Sequence, residues 1–220
     1  MGSLKDTSLF WKEMNHRVKG HLQTISSVLA LQADASHDED LKRMLRETQG
    51  RIGATAILYE MLSHSEPEDQ LNIAAYFQKL INELSRIYRF QGNAVDVIVE
   101  APNCAWSTDI ALPCGLILNE LICNALDHAF PRQIGQVRIN LSSANQKWLL
   151  TVKDNGKGIA IADVEHAQTL GLQIVTALVR QLRGTIEIHG GSGTEINLAF
   201  PFSSSAPGEI SAHTANEKFA

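Results

Sequence analysis

A histidine with a nearby carboxylate lies close to the start of the chain, in the stretch HRVKGHLQ (16–23). His16 follows Glu13 by three residues, which in a helix is close enough for the carboxylate to hold one imidazole tautomer or accept its proton. An exposed imidazole of this kind can attack the γ-phosphorus of a nucleoside triphosphate, provided that a nucleotide site brings the phosphate in line. A solvated helix face explains the same histidine without chemistry. His21 adjoins the apolar Leu22 and is better explained as a boundary residue.

A second candidate site lies in NELICNALDHAF (119–130). Glu120 and Asn124 are four residues apart, so a helix places them on one face, with Asn119 beside them. A carboxylate and an amide in this arrangement can hold Mg²⁺, which prefers oxygen ligands and keeps several of its waters. By itself, the spacing is equally typical of a solvated helix face.

Three glycine-containing stretches follow in a fixed order. In DNGKGI (154–159), Asp154 ends an apolar strand and can accept a hydrogen bond from an amino group, and the glycines let the backbone approach a ligand. LGLQIV (170–175) places Gly171 at the start of a helix, where free N–H groups and the helix dipole favour phosphate. GGSGTEI (190–196) is a glycine-rich turn in which Thr194 offers a hydroxyl. Each stretch alone is also explained as a simple turn, so the order of the motifs is what predicts a nucleotide site.

The elements that must position these residues begin with a helical hairpin. Apolar residues spaced 4, 4, 3 and 4 apart predict a helix over about 6–33 with a single apolar seam, formed by Met14, Val18, Leu22, Ile25 and Leu29. His16 is rotated by about 200° from Met14 and is therefore predicted to be exposed. Ser36 and Glu39 stand at capping-box spacing to start a second helix that runs to about His64.

A lone hairpin would leave much of its seam in water, so we expect it to pair with a second copy as a dimeric four-helix bundle. The alternative is that the rest of the chain folds back over the seam. The remaining sequence predicts mixed elements, with helices at 73–90, 109–129 and 170–183 and strands at 95–100, 136–142, 147–153, 184–189 and 194–200. Helices and antiparallel strand pairs in this order predict one sheet covered on one face by helices, so the predicted fold is a helical hairpin followed by a two-layer α/β sandwich.

Composition excludes several classes of protein. A net charge of -5 without a clustered basic face argues against nucleic acid as the main partner. No uninterrupted apolar run approaches the length that crosses a bilayer, and the start lacks a signal-peptide pattern, so we expect a cytoplasmic protein with no membrane segment. The three cysteines have no CxxC spacing and are interpreted as packing thiols in a reducing compartment. Residues 203–220 are small and polar and are predicted to be disordered.

The order of the motifs resembles the ATP-binding domain shared by histidine kinases, DNA gyrase, the Hsp90 chaperone and the mismatch-repair protein MutL. The resemblance spans about a hundred residues and implies ATP and Mg²⁺ as cofactors, with the 159–170 segment as a short lid over the nucleotide. It assigns Mg²⁺ to Asn124, a base or water-positioning role to Glu120, and the adenine amino group to Asp154. The other nucleotide-binding positions that it implies are Asn119, Gly156, Gly158, Gly171, Leu172, Gly193 and Thr194.

Over residues 9–201 the chain resembles bacterial sensor histidine kinases of the HWE-related subfamily, the second HisKA type. The stretches that carry this resemblance are EMNHRVKGHLQTISSVLALQA (13–33), LPCGLILNELICNALDHAFP (112–131) and LGLQIVTALVRQLRGTIEI (170–188). It implies that His16 is the phosphoacceptor and that 1–66 form the dimerisation and phosphotransfer hairpin, with 67–202 as the catalytic ATP-binding domain. The implied partner is a response regulator whose receiver-domain aspartate takes the phosphoryl group.

The chain departs from this family in three places. Gly20 and His21 stand where the family usually has two asparagines. Related kinases have, one helical turn beyond the phosphoacceptor, a polar residue that takes part in phosphatase activity, and Gly20 at that position lacks a side chain for this role. The family tends to have lysine where Asp127 stands. A lysine there could bind a phosphate and an aspartate could not, which predicts a lower ATP affinity or rate. No sensor domain precedes the hairpin, so either the chain is a fragment or its input comes from a separate protein.

Two other functions fit parts of the pattern. An ATP-independent histidine phosphotransfer protein would share the architecture, but it predicts decayed glycine motifs and a missing asparagine, and the chain retains both. An ATPase or anti-sigma serine kinase of the same superfamily leaves the His16 segment unexplained. The sequence therefore favours an ATP-dependent protein histidine kinase.

Overall fold

The computed structural model describes residues 2–64, 70–88, 94–130, 134–158 and 169–202. The predicted polar tail (203–220) and most of the predicted lid lie outside these residues.

The N-terminal part is the predicted helical hairpin, formed by α1 (Gly2–Ala35) and α2 (Glu39–Ser63). Two contacts fix the antiparallel register of the helices. The amide of Gln49 donates to the carbonyl of Ser26 at 3.3 Å, and the Lys19 ammonium lies 3.1 Å from the Glu60 carboxylate. Helix α1 is longer than predicted because the helical backbone continues beyond the apolar seam at both ends.

The start of α2 differs from the capping-box prediction. Asp38, and not Ser36, is the N-cap residue, and its carboxylate accepts hydrogen bonds from the N–H groups of Asp40 and Leu41. Ser36 instead accepts from the N–H of Asp38 at 3.0 Å. An aspartate at the N-cap also places its negative charge at the positive end of the helix dipole, which favours this choice.

One face of α2 is buried against the C-terminal part of the chain. Ala54, Leu58 and Leu62 belong to the same apolar core as the α/β domain. The buried hydroxyl of Tyr76 in helix α3 (Ile73–Tyr88) donates to the carbonyl of Ala54 at 3.1 Å. The rest of the chain thus folds back onto α2, and it leaves the α1 seam partly exposed.

The α/β domain contains a five-stranded mixed sheet. Its strands are β2 (Ala94–Glu100), β4 (Ile134–Ala144), β5 (Lys147–Asp154), β6 (Thr185–Gly191) and β7 (Gly193–Pro201), and they lie in the order β2-β4-β5-β7-β6. Two further strands, β1 (Leu71–Asn72) and β3 (Ala105–Trp106), form a separate antiparallel pair. Strands β2 and β4 pair in parallel, unlike the antiparallel pairs predicted, because the helix between them carries the chain back to the same end of the sheet.

Helices cover one face of this sheet, so the predicted two-layer arrangement is confirmed. In β4 the buried residues Val137, Ile139 and Leu141 alternate with more exposed ones, as in a strand with one face on the core. The central helix α4 (Thr108–Asn124) continues into a π-helical turn, Ala125–Ala129, and α5 spans Leu170–Gln181. By length and composition the 108–129 segment could cross a membrane, but 72% of its apolar window is buried inside the protein. Its apolarity is accounted for by this core position.

The apolar seam of the hairpin is only partly covered in the single chain. Met14 and Ile25 are 42% and 48% exposed, and Val28 beside the seam is 49% exposed. Large apolar side chains on one stripe of a surface helix are typical of a face that packs against another element.

Two glycines in helices predict opposite effects of the same substitution. Nothing lies within 4 Å of a Cβ added at Gly20, whereas a Cβ at Gly115 of α4 would overlap the Tyr76 ring. We expect Gly20→Ala to stabilise the fold by about 1 kcal/mol because alanine has the higher helix propensity. Gly115→Ala should destabilise it by about 1–3 kcal/mol through overpacking. Urea denaturation followed by circular dichroism measures both, and equal shifts in the two variants would contradict the packing described here.

Candidate active site

The end of strand β5 supplies the first part of the site. Asp154 is 6% exposed, and its side-chain oxygen accepts a hydrogen bond from the N–H of Gly156 at 2.8 Å. This bond orients the carboxylate at the turn that leaves the sheet. In the pairing of β5 with β7, Lys153 lies opposite Glu195, so Thr194 comes to the same end of the sheet as Asp154. The structure therefore brings together two side chains that the resemblance assigned to the nucleotide.

Close backbone contacts around Asp154 require glycine. Gly158 has φ +75°, and a Cβ there would overlap the carbonyl of Gly191. Gly193 has φ +101°, and a Cβ there would overlap the carbonyl of Asp154. Two turns from distant parts of the sequence thus pack backbone to backbone, which holds the loops that the nucleotide prediction requires.

The third part of the site lies where α4 ends and α5 begins. A Cβ added at Gly171 would lie 2.9 Å from the Glu120 carboxylate and 3.7 Å from the Asn124 amide. Helix α5 begins after the N-cap Thr169, whose hydroxyl accepts from the N–H of Leu172 at 3.4 Å. The first turn of α5, a favourable place for phosphate, therefore faces the two α4 side chains that the sequence assigned to phosphate chemistry.

The oxygen ligands near Asn124 fit a hard cation such as Mg²⁺ that also binds the phosphates of a nucleotide. Asn124 offers an amide oxygen, and no cluster of three or more His, Cys, Asp or Glu occurs within the described ranges. A Mg²⁺ ion here would take most of its ligands from phosphate and water, as is usual for this ion.

Asn119 faces the hairpin, and Asp127 lies within reach of its charges. Asn119 is fully buried, donates to the Glu120 carboxylate at 2.9 Å, and packs against Gly50 of α2. Asp127 is exposed, and partial loss of solvent around its carboxyl group raises the pKa of that group, which nearby charges, including those of Arg43 and Arg46, partly oppose. Two of these charges belong to α2, so Asp127 is electrostatically coupled to the hairpin.

His16 is exposed, as its position on α1 predicted. Glu13 accepts from the Arg17 guanidinium at 2.6 Å, so its carboxylate is paired one turn along the helix and not with the imidazole. Exposed pairs of this spacing contribute only about 0.3–0.5 kcal/mol, and Glu13 can exchange partners easily.

The residues around His16 lie near the N-terminal end of α4, whereas the candidate nucleotide site lies at its C-terminal end. Its neighbour Asn15 is 2% exposed and lines a cavity of about 310 Å³ together with Thr108 and Asp109 at the start of α4. Asn124 lies at the other end of this helix, about 22 Å away at 1.5 Å per residue. The structure does not bring His16 to the nucleotide site.

Arg51 is a site residue that the sequence analysis missed. Its guanidinium makes two hydrogen bonds to the Glu120 carboxylate, Nε to Oε1 at 2.7 Å and Nη2 to Oε2 at 2.8 Å. The hydrogen bond from Arg51 to Glu120 raises the pKa of the guanidinium further. Gly50 and Gly53 on either side carried the available signal, since helix-interior glycines are costly unless another element approaches closely.

Comparisons with known proteins agree with this architecture. Residues 13–88 match the histidine kinase family HisKA_2, and residues 110–204 match the family of histidine kinase-, DNA gyrase B- and HSP90-like ATPases. These two matches cover most of the chain, which therefore belongs to the histidine kinases. Its N-terminal helices are a HisKA_2 region and its α/β unit is an ATP-binding domain of this ATPase type.

Its relatives include sensor histidine kinases and light-activated histidine kinases. The sensor histidine kinase PdtaS of Mycolicibacterium smegmatis is 28% identical over 207 residues, which are 90% of this chain and 40% of the relative. The blue-light-activated histidine kinase 2 of Erythrobacter litoralis is 30% identical over 200 residues, 87% of this chain and 56% of the relative. The solved histidine kinase domain of an Erythrobacter litoralis blue-light-activated kinase matches with a TM-score of 0.64 and 25% identity, covering 89% of this chain and 94% of that domain. The chain spans roughly half the length of the curated relatives.

The glycine contact at position 158 generates a prediction for nucleotide binding. Gly158→Ala should lower the affinity for a fluorescent ATP analogue at least about tenfold, or 1.4 kcal/mol, because a Cβ at φ +75° overlaps the Gly191 carbonyl. Titration of the analogue by fluorescence anisotropy measures the effect. Gly20→Ala, in the hairpin, is the matched control and should bind like the wild type. An unchanged affinity in Gly158→Ala would show that this loop does not form the site.

Proposed function

We propose that the chain is an ATP-dependent protein histidine kinase of a two-component system. It phosphorylates His16 with Mg-ATP and passes the phosphoryl group to an aspartate of a response regulator receiver domain. The observation that carries this proposal is the combination, in one chain, of an exposed histidine on a HisKA_2-type hairpin with a convergent set of nucleotide-site residues. Asn124 lies 30 residues before Asp154 and 47 residues before Gly171, yet the fold gathers all three at one end of the α/β domain.

The first reaction is a phosphoryl transfer to nitrogen. A lone pair of an imidazole nitrogen of His16 attacks the γ-phosphorus, and the bond from that phosphorus to the β–γ bridging oxygen breaks. ADP leaves with the electron pair of this bond. The imidazole proton passes to a nearby carboxylate, for which Glu13 is our candidate, and Glu120 takes the role of a base or water-positioning residue at the nucleotide.

Each remaining group has a role that its environment supports. Asp154 and Thr194 bind the adenine end, and the first turn of α5, at Gly171 and Leu172, binds phosphate. Asn124 holds Mg²⁺, which neutralises developing phosphate charge when it is bound. The glycines at 156, 158 and 193 and the buried Asn119 shape and support these contacts.

The same proposal covers the organisation of the protein. Residues 1–66 act as the dimerisation and phosphotransfer domain, and 67–202 act as the catalytic domain, in the cytoplasm where ATP and response regulators are found. In the second transfer a receiver carboxylate oxygen attacks the phosphorus, the P–N bond breaks, and the imidazole takes up a proton and leaves as the neutral base.

The exposed apolar seam supports a homodimer. The side chains of Met14, Ile25 and Val28 remain between 42% and 49% exposed in the single chain. Pairing two hairpins would bury this stripe while leaving His16, on the opposite side of α1, accessible.

Phosphorylation itself is the direct test of the proposed function. We expect the wild type, incubated with Mg²⁺ and γ-labelled ATP, to gain label that is stable to alkali and labile to acid, as a phosphohistidine is. His16→Gln and Asn124→Ala should lose the label, the first by losing the nucleophile and the second by losing the metal ligand.

His21→Gln provides the matched control, since His21 is an exposed histidine on the same helix. It should retain at least about half of the wild-type rate, a difference of less than 0.5 kcal/mol in the barrier. Label that persists in His16→Gln, or a folded wild type that takes up none, would contradict the proposal.

The dimer has its own prediction. At micromolar concentration, light scattering should give twice the chain mass of 24.2 kDa. Two charges introduced by Ile25→Asp with Val28→Asp should convert the protein to a monomer, because an unpaired carboxylate in an apolar interface is costly. Ile134→Asp, at a residue 67% exposed on the α/β domain, should stay dimeric. A wild-type monomer would contradict the proposed assembly.

A further inference from the structure

The Arg51–Glu120 ion pair joins the hairpin to the nucleotide site. Arg51 belongs to α2, and Glu120 belongs to the α4 face that meets the first turn of α5. The Glu120 side chain is 4% exposed and that of Arg51 is 19% exposed, so the pair is largely shielded from solvent. A bidentate pair in such a place fixes the geometry of both partners.

The surrounding contacts favour the same docked position. A Cβ added at Gly50 would overlap the Asn119 amide, and one at Gly53 would lie 3.2 Å from Cγ of Glu83 in α3. The positive charges of Arg43 and Arg46 act on Asp127. Gly50 and Arg51 of α2 thus meet α4 directly, Gly53 meets α3, and the charges of Arg43 and Arg46 are opposite to that of Asp127 in the turn after α4.

This docked position keeps His16 away from the nucleotide. The contacts of Ser26 with Gln49 and of Lys19 with Glu60 show which residues of α1 and α2 lie at the same height along the hairpin. By this antiparallel register, Arg51 lies at the height of residues 24 to 28 of α1. His16 is therefore about 12–18 Å further along the hairpin axis than Glu120. In a symmetric bundle whose two-fold axis runs along the helices, the partner subunit's His16 would stand at the same height.

A guanidinium cannot follow such a displacement. An arginine side chain reaches only about 6–7 Å from its own backbone, which is roughly two consecutive Cα spacings. Bringing the nucleotide end of α4 level with either histidine thus requires that Arg51 release Glu120.

We propose that the Arg51–Glu120 pair is an autoinhibitory restraint that holds the ATP-binding domain in a position where it cannot phosphorylate His16. The inference rests on the proposed kinase function and specifies how that site is regulated. Release of the pair frees Glu120 for its role at the nucleotide and lets the domain move along the hairpin towards the phosphoacceptor.

The rate of autophosphorylation tests the restraint. Arg51→Gln should phosphorylate His16 at least about fivefold faster than the wild type, the lower end of the range typical of regulatory couplings. Arg138→Gln is the matched control, since Arg138 pairs with Glu100 inside the α/β domain at 3.6 Å, and it should label at the wild-type rate. An Arg51→Gln rate equal to or below that of the wild type, at unchanged affinity for a fluorescent ATP analogue, would overturn the proposal.

A reversible lock tests the same restraint with Arg51 in place. Cysteines introduced by Gly53→Cys and Glu83→Cys lie close enough to join α2 to α3 when oxidised. We expect the oxidised form to bind the ATP analogue but to label at least about tenfold more slowly, a barrier difference of 1.4 kcal/mol. Reduction should restore the rate, and equal rates in the two forms would overturn the proposal.

A failure of the kinase function itself would be recognised by the absence of label in every variant, reduced or oxidised. In that case, amide hydrogen exchange in α2 and α4 still tests whether the Arg51–Glu120 pair restrains the ATP-binding domain. Protection across the contact between α2 and α4 should fall in Arg51→Gln and not in Arg138→Gln, because only the first removes a bond between the two domains. Equal protection in both variants would overturn the restraint independently of catalysis.

Discussion

The burial of one face of helix α2 is the packing interaction on which the rest of this structure depends. That face has small residues where it meets α4 and α3, with Gly50, Gly53 and Ala54 in contact, and large ones further along, with Leu58 and Leu62 in the common core. Small residues let the helix backbones approach closely, and the apolar residues supply the driving force for burial. The hairpin and the ATP-binding domain consequently share one core.

This shared core has a consequence for catalysis. A hairpin that is packed into the ATP-binding domain is held at one height, and here that height separates His16, the proposed phosphoacceptor, from Asn124 by about the length of α4, some 22 Å. The interface must therefore be stable enough to form and weak enough to release. Leaving one partner of a buried pair uncompensated costs about 3–5 kcal/mol, so a nucleotide or signal that offers Glu120 or Arg51 a new partner could offset much of the cost of release.

Much of the site was predictable because its residues occur in short stretches with fixed local geometry. The turn after β5, the start of α5 and the turn between β6 and β7 each need glycine or a hydroxyl at defined positions, and their order along the chain indicated a nucleotide domain. The exposure of His16 followed from helical periodicity alone. The parallel pairing of β2 with β4 was missed because strand pairing depends on where a crossover helix returns the chain, which local patterns do not record.

The contact between the domains could not be read from the sequence. Arg51 and Glu120 are 69 residues apart, and neither the spacing nor the type of either residue identifies the other as its partner. Asn119 was assigned to the nucleotide by the resemblance, but on the helix it turns towards Gly50 of α2. Only the glycines at 50 and 53 carried a local sign of close approach, and glycine also occurs in helices at kinks, near helix ends and where the backbone meets a ligand.

The distance between the phosphoacceptor helix and the nucleotide end of the catalytic domain is the measurement that tests this account most directly. Spin labels at Leu9→Cys, an exposed position beyond His16 on α1, and at Lys153→Cys, in a Cys104→Ser background and diluted with unlabelled protein, report that distance by electron–electron double resonance. The remaining thiols, Cys114 and Cys123, are buried, and burial raises their pKa, so they resist labelling. We expect one long distance without nucleotide and a second population, shorter by at least about 10 Å, with a non-hydrolysable Mg-ATP analogue, given the height difference along the hairpin. The same single distance with and without nucleotide, in both the wild type and Arg51→Gln, would contradict it.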